Sequence, residues 1–407
     1  MKIPFSPPFI DDDVKAEVMS ALESGWITTG PKVKALEQET AKYAGIEQVL
    51  CINSATSGLM LALHWLGIGK GDEVIVPAYT YCATALAVLH VGATPVMVDV
   101  KEDFNIDAEK VRAAITRKTK AIVPVDFAGW PCDYDSLFAI VNDNEVRSIF
   151  EAKGDKQEKL ARIAVVADAA HSFGATYKNK RTGNLADFTV FSYHAVKNLT
   201  TAEGGAICIT LPLPFNNAEI YKTLRLWSLN GQTKDAFSKS QVGGWRYDVV
   251  YAGFKMNMPD VCAAIGLAQI RKYDVAILNE RKRIYEYFTA EFSKDEWAEV
   301  APFNNNISCC SYHLYPLRIR DISEEQRDRI IERISTDEVA VNVHFIPLPM
   351  LTVFKELDYK MQDYPVSYNN YSREISLPIY PQLSNNQCER IVKVVRNAVR
   401  QTIGSWI

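Results

Sequence analysis

Through the first half of the chain, short continuous apolar runs alternate with stretches patterned at the helical period. "VLCI" leads into "SGLMLALHWL", and "DEVIVP", "TPVMVDV", "KAIVPVDF", "IAVVADAA", "FTVFSY" and "GAICIT" follow, with helix-like segments between most of them. Apolar runs too short for helices predict strands buried on both faces, hence an α/β fold with a mainly parallel sheet between helices. In such sheets ligands gather beyond the carboxyl ends of the strands, so polar residues there are the first candidates for function.

The texture changes after about residue 255. "PDVCAAIGLAQIRKYDVAILNERKRIYEYFTAEFS" predicts one long amphipathic helical stretch with Pro259 near its start. Beyond it, "HLYPLRI", "VAVNVHFI" and "QCERIVKVVRNAVRQTI" predict a small α+β domain closed by a helix. The expected division is a large domain over 1–250 and a smaller C-terminal one over 251–407. The charged segment "IVNDNEVRSIFEAKGDKQEKLAR" has no strand pattern and predicts a helical excursion on the surface.

Composition narrows the class. Of 407 residues, 48% are apolar and 23% charged, which is ordinary globular usage and excludes global disorder. A formal charge of -4 argues against a nucleic-acid partner. No apolar run reaches the roughly 18 residues a membrane span needs, and "MKIPFSPPFIDDDV" has no apolar leader, so a cytoplasmic protein is expected. Cys51, Cys82, Cys132, Cys208, Cys262, Cys309, Cys310 and Cys388 are scattered without metal-ligand spacing, and no metal is expected.

Four strand ends carry chemistry. Asp168 closes "RIAVVADAA", where a buried acid needs a charged or hydrogen-bonding partner. Lys197 follows the strand "DFTVFSY"; alone it reads as an exposed loop lysine, but "AEGGA" brings Gly204 and Gly205, which permit close backbone approach and positive φ. In "INSATSGL", Asn53, Ser54, Thr56, Ser57 and Gly58 lead into a helix, which suits either an anion or a plain Ser/Thr cap. Tyr81 follows the strand and proline of "VPAYTY", placed either to stack on a planar group or to fill the core.

Pyridoxal phosphate needs these four parts: a phosphate cradle, an aromatic neighbour, an acid at the ring nitrogen and a lysine for the aldehyde. Burial and a nearby pyridinium would both favour a neutral amine at Lys197.

The same stretches carry a resemblance. "DAAHSFGATYKNKRTGNLADFTVFSYHAVKNLTTAEGGA", with "SGWITTGPKVKALE", "NSATSGL" and "FKMNMPDVCAAIGLAQ", resembles the sugar aminotransferases of the DegT/DnrJ/EryC1/StrS group. The resemblance runs to "SLPIYP" near residue 381 and implies a fold-type I pyridoxal-phosphate enzyme, a homodimer in which both subunits line each active site. It implies Lys197 as the lysine bonding the aldehyde, Asp168 as the ring-nitrogen partner and Tyr81 as the stacking residue. It further implies Thr56, Ser57 and Ser192 at the phosphate, with Asn257 arriving from the other subunit, and His171 beside the ring oxygen. For His171 a histidine satisfied by nearby backbone is the alternative. His313, His344 and Tyr315 are candidates for the substrate end, with core placement equally open.

The activity implied is transfer of an amino group from L-glutamate to a nucleotide-linked keto-sugar. "SGWITTGP" and "FKMNMPD" resemble members acting at C4 of UDP-linked 4-keto-6-deoxy sugars, in polysaccharide or glycan biosynthesis; C3 amination is the alternative. Tyr81 stands where phenylalanine or tryptophan is common, Asp126 stands where histidine is expected, with Trp130 close behind, and the 140–162 excursion is longer than the group's usual connection. A nicotinamide enzyme is disfavoured because "GIGKGDE" follows a helix and precedes a strand, the reverse of the required order. A related sugar dehydratase would carry histidine in place of Lys197, and a non-catalytic regulatory homologue has no need for Lys197, Asp168 and the phosphate loop together.

Overall fold

The computed structural model describes residues 2–234 and 245–404. The apolar runs form strands β1 (Gln48–Ile52), β2 (Glu73–Pro77), β3 (Thr94–Val98), β4 (Thr119–Ile122) and β5 (Ala164–Asp168). A short hairpin, β6 (Thr176–Tyr177) and β7 (Lys180–Arg181), precedes β8 (Phe188–Ser192) and β9 (Gly205–Ile209). Seven of these make one sheet in the order β1-β9-β8-β5-β4-β2-β3. Only β9 runs against its neighbours; the pairs from β8 to β3 are all parallel.

That single reversal matters for the site. Because β9 opposes both β1 and β8, the carboxyl ends of β1, β2, β5 and β8 lie along one edge, together with the start of β9. Ile52 and Ser192 both pair with Gly205 there. The loops after β1, β2, β5 and β8 therefore meet over one edge, as expected of an open α/β sheet.

Helices cover both faces. Ala55–Trp65 buries Leu59, Leu61, Ala62, Leu63 and Trp65 against Val166, Val190 and Ile207 of the sheet. The predicted long C-terminal helix divides: Asp260–Ile270 ends, a wide turn spans Tyr273–Leu278, and the helix resumes over Asn279–Phe292. The first piece is apolar nearly all round because it is enclosed, packing on the N-terminal helices Asp12–Glu23 and Pro31–Ala44. The 140–162 excursion forms short helices ending at Leu160, as the pattern predicts, and seats Lys156 between the rings of Trp65 and Trp227.

A second core gathers Ile284, Phe288, Phe292, Leu317, Ile375 and Val395 around an antiparallel sheet of β10 (Ala298–Val300), β12 (Tyr315–Ile319) and β13 (Glu374–Leu377). The short strand β11 (Ser308–Cys309) joins β6 instead. Ile3 and Trp130 also enter this core, so the chain's start packs with its C-terminal part. Among the described residues no helix is long and apolar enough to cross a membrane.

Candidate active site

A cavity of about 450 Å³ opens over the shared strand edge. Thr56, Tyr81, Asp168, His171, Ser192 and Lys197 all line it, although they come from four separate loops and span more than a hundred residues of sequence.

Asp168 ends β5 and is 6% exposed. Its Oδ2 accepts a hydrogen bond from the Thr84 hydroxyl at 2.8 Å, and Oδ1 accepts from the Ala170 N–H at 3.2 Å. Burial pushes the carboxyl above its ordinary range, while these two bonds and the charge of Lys197 oppose the rise.

Lys197 sits past β8, where its N–H donates to the His194 carbonyl at 2.9 Å in a tight turn. Burial of the amine lowers its pKa from 10.5 to about 8, and Asp168 pulls the other way. The exposed-loop alternative for this lysine is thereby excluded: the side chain is half-buried and faces the cavity.

The helix Ala55–Trp65 begins at the cavity. Ser54 caps it, its Oγ accepting from the Ser57 N–H at 3.1 Å and lying 2.9 Å from the Ser57 hydroxyl. Ser57 thus turns toward the cap, while Ser54, Ala55 and Thr56 line the cavity. A Cβ on Gly205 would come within 2.7 Å of the Phe191 carbonyl oxygen and 2.8 Å of the Ala55 nitrogen. Glycine is therefore required for the helix start to approach the strand edge so closely. The expected positive φ is not its reason: neither Gly204 nor Gly205 has one, and Ala202 takes the left-handed conformation at φ 67° instead.

His171 is buried, and its Nδ1 accepts the Ala128 N–H at 3.2 Å. The structure shows the backbone-satisfied alternative for this residue: the bond fixes the ring and places the hydrogen of the neutral imidazole on Nε2. Burial and the nearby Lys197 and His344 keep it neutral. Asp126 is fully buried and accepts from the Ser172 hydroxyl at 2.7 Å and from Cys132 N–H and Tyr134 O–H, both at 2.9 Å. It anchors the loop carrying His171 from behind.

Tyr81 is 58% exposed and borders the cavity with Phe345, whose ring centre lies 5.7 Å away. His313 and His344 also line the cavity, whereas Tyr315 packs inside the second core against Tyr285. Asn257 does not face the cavity of its own chain. Its Nδ2 donates to Thr29 Oγ1 at 2.6 Å, Thr29 donates to the Met258 carbonyl, and Asp260 accepts from the N–H groups of Gly30, Lys32 and Val33. "TTGPKV" and "NMPD" thus form one joint.

Sequence reasoning missed Thr84, Asn198, Phe5 and Phe345. Thr84 is an unremarkable helix residue until the fold brings it to Asp168, and Phe5 stacks on His344 with ring centres 5.4 Å apart, a contact no local pattern signals.

The donor set fits pyridoxal phosphate. A capped helix start and small hydroxyl residues suit the phosphate, Asp168 suits the ring nitrogen, and Lys197 suits the aldehyde.

Comparison with known proteins agrees with this geometry. The DegT/DnrJ/EryC1/StrS aminotransferase family model matches residues 8–153 and 155–396. The putative sugar aminotransferase Spr1654 from Streptococcus pneumoniae, in its pyridoxal-phosphate form, is 41% identical with a TM-score of 0.94, covering 99% of this chain and 100% of that one. The spore coat polysaccharide biosynthesis protein SpsC of Bacillus subtilis is 36% identical over 403 residues, 98% of this chain and 97% of its own. Helicobacter pylori PseC, an aminotransferase involved in pseudoaminic acid biosynthesis, shares 26% identity and a TM-score of 0.85 over 98% of this chain and 100% of its own.

Fold and relatives together define a pyridoxal-phosphate-dependent aminotransferase of fold type I. The chain belongs to the DegT/DnrJ/EryC1/StrS aminotransferase family.

Proposed function

We propose that this enzyme moves an amino group from L-glutamate to the keto carbon of a nucleotide-linked sugar, at C4 of a UDP-linked 4-keto-6-deoxy sugar, for polysaccharide or glycan assembly. The observation that carries the reading is a lysine amine and a buried, hydrogen-bonded acid facing one cavity with a helix start. The names of its relatives support the sugar and the polysaccharide.

Pyridoxal phosphate, when bound, supplies an aldehyde and a ring that draws electrons from a breaking C–H bond. In this reading Asp168 would hold a proton at the ring nitrogen, aimed by its bonds from Thr84 and the Ala170 N–H, which favour its ionised form against the effect of burial. Lys197 would hold the group through its aldehyde, and its amine, when free and neutral, would take a proton from the donor's α-carbon and deliver one to the sugar carbon. Thr56, Ser192 and the amides of the helix start would bind the phosphate, with Ser57 turned to Ser54 in the cap that shapes this loop, and His171 would offer Nε2–H toward the ring oxygen. Tyr81 covers one ring face. Asn257 of the partner subunit completes the phosphate site in a homodimer.

The test offers glutamate and a panel of UDP-, dTDP- and GDP-linked 3-keto and 4-keto sugars, with aminated product followed by mass. Product from a UDP-linked 4-keto sugar is expected. Formation of 2-oxoglutarate with no sugar product anywhere in the panel would refute the acceptor assignment.

A further inference from the structure

His313 is a buried imidazole that no step above uses, and its proton is placed by its surroundings. The Asn198 amide donates through Nδ2 to the Ser311 carbonyl at 2.7 Å, so its oxygen must be the atom turned to His313. That Oδ1 lies 2.9 Å from His313 Nδ1. An amide oxygen only accepts, so Nδ1 must carry the hydrogen and Nε2 a lone pair.

The rest of the residue is also held. Its N–H donates to the Ala128 carbonyl at 3.2 Å, its own carbonyl accepts from Arg281 at 3.2 Å, and its ring sits 4.4 Å from that of His171. Burial and the charges of Lys197 and Arg281, with His171 and His344 nearby, hold the ring neutral. The cavity wall therefore presents two neighbouring imidazoles of opposite polarity: a donor Nε2–H on His171 and an acceptor Nε2 on His313.

We propose that His313, fixed by Asn198 as the Nδ1–H tautomer, accepts a hydrogen bond from a hydroxyl of the sugar acceptor and is a specificity residue of the second half-reaction only. A lone pair in a cavity needs a partner that brings a proton. Glutamate brings two ionised carboxylates, which have none, and one amino group, which is consumed by the chemistry. A sugar brings several hydroxyls. Asn198 is then a positioning residue, acting through His313. This assignment rests on the nucleotide-sugar reading above.

The experiment measures the two half-reactions of the holoenzyme separately by the cofactor's visible absorbance, using glutamate and whichever panel sugar the wild type aminates fastest. His313→Leu and Asn198→Leu are expected to lower kcat/KM for the sugar about 10- to 100-fold, as for an unmade hydrogen bond in a buried site, and to leave the glutamate half-reaction within about twofold. His313→Gln, which can place an oxygen near the Nε2 position, should recover most of the loss. Equal losses in both half-reactions would overturn the proposal, because the residue would then serve the cofactor through His171.

A second measurement needs no variant. With only six histidines in the chain, selective ¹⁵N labelling of the wild type reads each tautomer directly. His313 protonated on Nδ1 is expected, and protonation on Nε2 would overturn the proposal even if the variants fail to fold. A wild type that takes nitrogen from glutamate but passes it to no panel sugar would instead sink the nucleotide-sugar reading, and this assignment with it.

Discussion

The lowered pKa of Lys197 makes a prediction that can be worked through before any substrate is known. An ordinary lysine at 10.5 is about 0.03% neutral at pH 7, whereas an amine at about 8 is roughly 10% neutral, a gain of about 300-fold in the reactive form. The neutral fraction of Lys197 should rise about tenfold per pH unit below 8 and level off above it. Trace acetylation of the cofactor-free protein across pH, read by mass spectrometry on the Lys197 peptide, measures that fraction. Because Asp168 holds the ammonium form up against the effect of burial, Asp168→Asn should move the inflection below 8. The variant would then have a more reactive lysine and yet, if Asp168 is the ring-nitrogen partner proposed above, transaminate more slowly. An inflection near 10.5 in the wild type, or one that stays or rises in Asp168→Asn, would refute the reasoning.

Gly205→Ala should force the helix start and β8 apart by about 0.5 Å, since the new Cβ meets only backbone; a loss of roughly 1–3 kcal/mol and weaker pyridoxal-phosphate binding are expected by thermal melting and titration, and wild-type values in both would contradict the close-approach account. Thr84→Val removes the hydroxyl donated to Asp168 and should weaken the cofactor about tenfold without unfolding the chain, whereas unchanged affinity would show that Thr84 does not support the carboxylate. If Asn257 of the partner subunit completes the phosphate site, the active enzyme sediments as a dimer; a stable active monomer would remove that role.

Much of the site was legible because strand ends in an α/β sheet announce themselves. The apolar run into Asp168, and the run into Ser192 followed by Lys197, place both residues at one edge once the sheet is parallel, and the helix signal after Ser54 does the same for the phosphate loop. What the sequence hid are contacts between distant segments. Thr84 meets Asp168 across 84 positions, Asn198 meets His313 across 115, and Asp260 caps a helix that begins more than 200 residues earlier. Local pattern carries no trace of such pairings. The predicted long helix from Asp260 failed for a related reason: its apolar residues run nearly all round the first piece, because three helices pack together there, and the amphipathic period sets in only after the turn at Tyr273–Leu278. Tyr315 likewise obeyed strand alternation into the second core and not the site.

The central claim is that Lys197 is the residue to which pyridoxal phosphate is joined. Borohydride reduction of the holoenzyme fixes that linkage for peptide mapping by mass spectrometry. The phosphopyridoxyl group is expected on the single peptide carrying Lys197 and absent from Lys197→Ala. Its recovery on another lysine, or its persistence in the variant, would contradict the account.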